Sequence, residues 1–138
     1  MPGATQGVSD VLKVLVVDDS RIVQQSLGRL LSVVPEIDVV GFAEDVAGAV
    51  AAIAAVRPDV VLLDVQLGGG DSGLAVLRAL AGQEPAVDVV VLSNTTWESV
   101  RTRYLAAGAR AYFDKSTEFE FAIAWIARRA HASGPAPA

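Results

Sequence analysis

The sequence has no cysteine, a single histidine (His131) and a single methionine. Without thiols there is no disulfide framework, no thiolate metal site and no thiol nucleophile, and one imidazole excludes a multi-histidine centre. Aromatic residues make up 6% of the chain, and 11 basic residues face 16 acidic ones for a formal net charge of −5. The densest basic stretch is Arg128-Arg129, too little for the concentrated cationic surface that nucleic-acid phosphates require. No apolar run approaches the roughly 20 residues of a membrane span, and residues 1–10 lack the basic start and apolar stretch of a secretory signal. These absences predict a cytoplasmic protein that contacts neither nucleic acid nor membrane.

What is present is a hydrophobic fraction of 52% in 138 residues, enough for one globular core. The Gly/Ala/Pro-rich ends predict flexible tails at 1–10 and 133–138, leaving one domain over 11–132. Short β-branched runs occur at Val14-Leu15-Val16-Val17, Val39-Val40-Gly41-Phe42, Val60-Val61-Leu62-Leu63, Val89-Val90-Val91-Leu92 and Ala111-Tyr112-Phe113. Their continuous apolarity implies burial on both faces. Helical stretches alternate with them at 20–34, 46–56, 73–81, 97–107 and 118–132, closed by Pro35, Arg57-Pro58, Gly82 and Gly108. Strict alternation predicts an α/β fold, a doubly wound five-stranded parallel sheet flanked by five helices.

In such a sheet, ligands bind beyond the carboxyl ends of the strands. The residues there are Asp18 and Asp19 after the first run, Asp64 after the third, Ser93 after the fourth and Lys115 just after the fifth. Polar residues often end strands, which accounts for one such aspartate but poorly for the whole set. Three carboxylates on one edge raise one another's pKa unless a cation lies among them, and oxygen-only ligands favour a hard ion such as Mg2+. Lys115 is placed to neutralise a carboxylate or an incoming phosphoryl group.

The ordered set Val16-Val17-Asp18-Asp19-Ser20-Arg21, Leu62-Leu63-Asp64, Leu92-Ser93-Asn94 and Phe113-Asp114-Lys115-Ser116 resembles the receiver domain of two-component response regulators, the chemotaxis-regulator family, over nearly the whole of residues 11–132. Residues 114–119 are similar to a subgroup of receivers found without an output domain. The resemblance implies a flavodoxin-like receiver fold with Asp64 as phosphoacceptor. It implies Mg2+ held by Asp18, Asp19, Asp64 and the Gln66 backbone carbonyl, and Lys115 on a phosphoryl oxygen. Ser93 and Tyr112 are implied as the switch pair, although alternation along the strand suits a core role for Tyr112 nearly as well. The implied protein is a phosphoacceptor that assists only its own phosphorylation and dephosphorylation, not an enzyme acting on others. Its implied partners are a histidine kinase or histidine phosphotransfer protein and an output protein.

Two departures stand out. After Asp64 the family's Met-Pro is missing, and Gly68-Gly69-Gly70 lengthens the loop, which predicts a loosely determined backbone. Ser116 replaces a proline that in many relatives locks a cis peptide after the lysine. On the first helix, Val23, Leu27, Leu30, Leu31 and Val34 are predicted to face the core, leaving Ile22, Arg29 and Val33 as a docking face for the phosphodonor. On the last, Phe119, Ala122, Ile123, Ile126 and Ala130 form the core stripe, and Phe121, Trp125 and Arg128 are predicted to project outward as a homodimer or partner surface. Alternative functions are a relay intermediate, a degenerate receiver that binds partners without phosphorylation, and a magnesium-dependent phosphohydrolase. The last wants an Asp-x-Asp that Asp64-Val65-Gln66 does not supply.

Overall fold

A computed structural model describes residues 11–132 apart from 71 and 96. The tails expected at 1–10 and 133–138 lie outside the described residues. The strands are β1 (Leu12–Val17), β2 (Ile37–Ala43), β3 (Val60–Leu63), β4 (Asp88–Ser93) and β5 (Ala111–Asp114). Between and after them run α1 (Arg21–Ser32), α2 (Val46–Val56), α3 (Gly73–Leu80), α4 (Glu98–Ala106) and α5 (Phe119–Ala132). The sheet has the order β2-β1-β3-β4-β5, and every neighbouring pair is parallel. The expected doubly wound architecture is therefore present, with its topological switch between β1 and β3.

Strand alternation divides the core in two. Leu15, Val17, Val61, Leu63, Val89 and Val91 pack with α2, α3 and α4 on one face, while Val14, Val16, Val60, Leu62, Val90 and Leu92 pack with α1 and α5 on the other. Each fully buried Val or Leu contributes about 1.5–3 kcal/mol, so the central strands dominate the apolar stabilisation. Capping sets the helix starts: Ser20 Oγ accepts from Val23 N, Asp45 Oδ1 from Gly48 N and Ser72 Oγ from Leu74 N.

Two predicted placements are corrected. Leu30 is 44% exposed, because the stripe of α1 is carried by Leu27 and Leu31 with Val23 and Val34 at its margins. Trp125 is half-buried against the apolar cluster beneath α5; its large indole at the edge of the helix stripe folds over the flank of that cluster. The remainder of the α5 stripe is as expected, with Ala122, Ile126 and Ala130 buried and Phe119 and Ile123 packed beside them.

At the amino-terminal end of the sheet the pairing continues past the strands. Asp59 N donates to Lys13 O at 2.8 Å, Asp88 N to Asp59 O at 3.1 Å and Arg110 N to Val89 O at 2.8 Å. Asp59 Oδ2 accepts from Lys13 N, and Asp88 takes Arg129 Nε at 2.8 Å and Arg110 Nε at 4.0 Å. Among the described residues, no helix is long and apolar enough to cross a membrane.

Candidate metal and phosphoryl site

The carboxyl ends of β1 and β3 lie side by side, since Val17 pairs with Leu63. The chain leaves both strands carrying carboxylates. Asp18 N donates to Ala43 O at 3.0 Å and Asp64 N to Val17 O at 2.9 Å, so both backbones remain registered to the sheet after the strands end. Oxygens of Asp18, Asp19 and Asp64 come within 4.8 Å of one another; Asp18 and Asp64 are buried and Asp19 is exposed. From the end of β5, Lys115 reaches back between the two buried carboxylates, its Nζ 2.7 Å from Asp18 Oδ2 and 3.1 Å from Asp64 Oδ2. The second oxygens are also used: Asp18 Oδ1 accepts from Ser20 N at 2.9 Å and Asp64 Oδ1 from Gln66 N at 3.4 Å.

Burial pushes the Asp64 carboxyl above the usual carboxylate range; Lys115 pulls it back, and Asp18 pushes it further up. Burial also pulls the Lys115 ammonium down, but the bonds and charges of Asp18 and Asp64 outweigh that, and it titrates above an ordinary lysine. The donor set is entirely oxygen, converges from two strand ends and opens to solvent at Asp19, so it fits a hard, partly hydrated divalent cation.

The model of the response regulator receiver domain family matches residues 14–126. The chain belongs to that family. Receiver domains are signalling modules of two-component systems that bind Mg2+ through an aspartate cluster and act with histidine kinases or phosphotransfer proteins. This receiver domain is similar to the DNA-binding transcriptional activator DevR/DosR of Mycobacterium tuberculosis, with 39% identity over 76% of this chain and 48% of that one. It matches response regulator GacA of Pseudomonas aeruginosa at 34% identity over 80% of this chain and 51% of that one. It also matches a protein-glutamate methylesterase/protein-glutamine glutaminase of Myxococcus xanthus at 42% identity, over 77% of this chain but only 30% of the relative. The matched region thus spans half or less of these curated relatives, or close to it. Among solved structures, the response regulator domain of Thermotoga maritima CheB superposes with a TM-score of 0.76 at 27% identity, covering 89% of this chain and 96% of that one. The BeF3-activated N-terminal receiver domain of Klebsiella pneumoniae RstA gives a TM-score of 0.74 at 28% identity, covering 86% and 97%.

The other residues singled out in the receiver's sequence surround this cluster at different distances. Ser93 is buried at the end of β4, where its Oγ accepts from Thr95 N at 3.0 Å and its carbonyl accepts from Lys115 N at 2.8 Å. Tyr112 is also buried, its hydroxyl donating to Thr95 O at 2.8 Å; burial raises its pKa. A cavity of about 250 Å³ lined by Thr95, Arg101, Tyr112, Asp114, Thr117 and Glu118 opens beside it. Asp114 shapes the turn that presents Lys115: its Oδ1 accepts from Ser116 Oγ at 2.7 Å and Ser116 N at 2.8 Å, bonds that lower its pKa. The Lys115–Ser116 peptide is trans, and the cis bond of the described residues is Glu84–Pro85.

Hydrogen bonds anchor the glycine-rich segment at its two ends. Gly68 N donates to Glu44 O and Gly73 N to Val65 O, both at 2.8 Å, while Gln66 and Ser72 form an antiparallel bridge. At Gly73 any Cβ would collide with the Asp64 carbonyl oxygen, so only glycine allows α3 to start this close to the site. Away from the cluster, Ile22 and Val33 on α1 are 77% and 76% exposed, with Arg29 exposed between them. On α5, Phe121 is 60% exposed and Arg128 is exposed, whereas Trp125 turns to the core.

Sequence reasoning missed two residues. Gln24 is buried, and its amide donates to Asp18 O at 2.6 Å and Ala43 O at 3.4 Å, bracing the loop that carries the acidic pair. The signal was its spacing from Leu27 and Leu31, which puts a polar side chain on the inward stripe. Tyr104, with Val100 four residues before it, forms the inward edge of the otherwise polar α4.

Proposed function

We propose that this receiver accepts a phosphoryl group on Asp64 from a phosphohistidine of a kinase or phosphotransfer protein and uses it to alter protein contacts. The observation that carries this reading is the single ammonium of Lys115 bridging Asp18 and Asp64 at the switch point of the sheet. An Asp64 carboxylate oxygen attacks phosphorus; the P–N bond to the donor imidazole breaks, its electron pair returns to that nitrogen, and an acyl phosphate forms. Asp18, Asp19, Asp64 and the Gln66 carbonyl are the residues that would hold Mg2+, which when bound offsets the charge of the transferred phosphoryl oxygens. The bond from Gln66 N to Asp64 and the bridge to Ser72 support that role for Gln66 by fixing its peptide. Lys115 exchanges its contact with Asp64 Oδ2 for a phosphoryl oxygen while keeping Asp18.

Ser93 and Tyr112 are the proposed switch. Both are tied to the residues after β4 through Thr95, so a Ser93 hydroxyl drawn toward the phosphoryl group gives up Thr95 N and shifts the carbonyl that holds Tyr112. The adjoining cavity gives the tyrosine room to respond. The α1 face with Ile22, Arg29 and Val33 is the proposed donor-docking surface, and Phe121 with Arg128 on α5 a partner or homodimer surface. The setting is cytoplasmic in this reading, and operation as a single-domain regulator is checked separately, by the mass of the native protein.

Intact mass after incubation with acetyl phosphate and Mg2+ tests the chemistry. The expected result is one added phosphoryl group, absent in Asp64→Asn and absent in chelator. No gain from acetyl phosphate or a phosphohistidine donor, with the fold intact, would favour a binding module that is never phosphorylated.

A further inference from the structure

Tyr104 is 3% exposed, yet its hydroxyl is surrounded by polar atoms from both ends of the loop that follows Asp64. It donates to Val65 O at 3.4 Å, accepts from Leu74 N at 3.1 Å and lies 3.2 Å from Ser72 Oγ. Val65 directly follows the proposed phosphoacceptor, while Ser72 and Leu74 belong to the cap and first turn of α3. One side chain from α4 thus binds both ends of the glycine-rich segment. The same ring meets Tyr112 edge-on, with centroids 6.1 Å apart and planes at 62°, and Tyr112 in turn holds Thr95 O. A continuous path therefore runs from the residue after Asp64, through two tyrosines, to the loop after β4.

We propose that Tyr104 is a positioning residue for phosphoryl transfer at Asp64, its hydroxyl tying Val65, directly after Asp64, to the start of α3 and its ring linking that segment to Tyr112. This rests on Asp64 being the phosphoacceptor. A carboxylate whose following peptide is held needs less reorganisation to reach phosphorus, and a displacement of that peptide reaches Tyr112 by direct packing. The hydroxyl bonds the Val65 carbonyl and not the Gln66 carbonyl proposed to hold the cation, so its influence falls on rate more than on cation binding.

The test compares wild type, Tyr104→Phe, Ser72→Ala and Asp64→Asn, with acetyl phosphate as donor. Phosphoryl uptake is followed by intact mass, Mg2+ affinity by tryptophan fluorescence, and folding by thermal denaturation. Loss of one hydrogen bond predicts phosphoryl uptake roughly fivefold slower in Tyr104→Phe, with Mg2+ affinity unchanged within about twofold. Ser72→Ala should slow uptake in the same direction and decides the matter if Tyr104→Phe does not fold. In a Tyr112→Phe background the effect of Tyr104→Phe should shrink, since the path through Tyr112 then ends short of Thr95. Equal uptake by wild type and Tyr104→Phe overturns the proposal, as does a slower rate matched by an equal loss of Mg2+ affinity. Failure of the wild type itself to gain a phosphoryl group refutes the Asp64 reading, and the role of Tyr104 with it.

Discussion

Replacing Lys115 with methionine removes the one ammonium between Asp18 and Asp64 while keeping most of the side-chain volume. All three side chains are nearly buried, and the ammonium lies 2.7 Å and 3.1 Å from the two carboxylates. Without it, carboxylate oxygens within 4.8 Å of each other repel by about 3 kcal/mol at an effective dielectric constant of about 20. Stripping one partner from a buried ion pair costs about 3–5 kcal/mol in general, so we expect a loss of about 3 kcal/mol at pH 7 in chelator. The pH dependence has a definite sign. Asp64 already titrates above the ordinary carboxylate range, and losing Lys115 raises it further. The penalty is therefore absent below the unfolded pKa and grows as pH rises through the folded one. Urea unfolding at pH 4 should show a much smaller gap between variant and wild type than at pH 7. Mg2+ at about a hundredfold its Kd adds about 2.7 kcal/mol, and should add more to the variant than to wild type, where the ammonium competes for the same oxygens. A loss below about 1 kcal/mol at pH 7, or an equal loss at pH 4, would refute this account of the site.

Asp64→Asn should stabilise the metal-free receiver at pH 7 by about 1 kcal/mol, because burial and Asp18 outweigh Lys115 at that carboxylate. The gain should vanish below the unfolded carboxylate pKa, as urea titrations at two pH values will show. Gln24→Leu strands the buried Asp18 carbonyl, while Ala43 O keeps Asp18 N, and should cost about 2 kcal/mol in chemical denaturation. Gly73→Ala drives a methyl into the Asp64 carbonyl and should cost about 1–3 kcal/mol, with displaced amide resonances at Asp64 and Gln66 in NMR spectra. Phe121→Ala should leave stability within about 0.5 kcal/mol, whereas Trp125→Ala should lower it by about 2 kcal/mol, since only the second packs on the core.

The sheet was legible because its central strands are buried on both faces, although β2 at the edge leaves Phe42 47% exposed: an unbroken Val60-Val61-Leu62-Leu63 reads as a central strand with no tertiary information. The polar cluster was legible for the same reason, since a carboxylate ending such a strand has to emerge at the sheet's edge. Legibility failed where one side chain's size or reach decides. Helical spacing gives the azimuth of Trp125 but not the span of its ring, which bends back to the core. Leu30 sits at the margin of a stripe that needs only Leu27 and Leu31 to close it. Helical spacing could place Gln24 on an inward stripe, but the carbonyls that Gln24 and Tyr104 satisfy are visible only in the fold. For the glycine triplet, composition describes only the freedom of the backbone, while the bond from Gly68 N to Glu44 O comes from another part of the fold and was not legible.

The bonds at the amino-terminal end of the sheet make this molecule a cantilever. Lys13, Asp59, Asp88, Arg110 and Arg129 clamp the entrances of β1, β3 and β4 and the approach to β5, whereas the exits of the same strands carry a cluster whose charge changes when a ligand arrives. Under the proposed phosphorylation, a response at the exits would be taken up on that side of the sheet, where β4 and β5 hand over to α4 and α5, because the entrances are tied. Loosening the clamp, by Asp88→Ala for instance, would leave the proposed chemistry at the far end in place and blunt the response proposed for Ser93 and Tyr112.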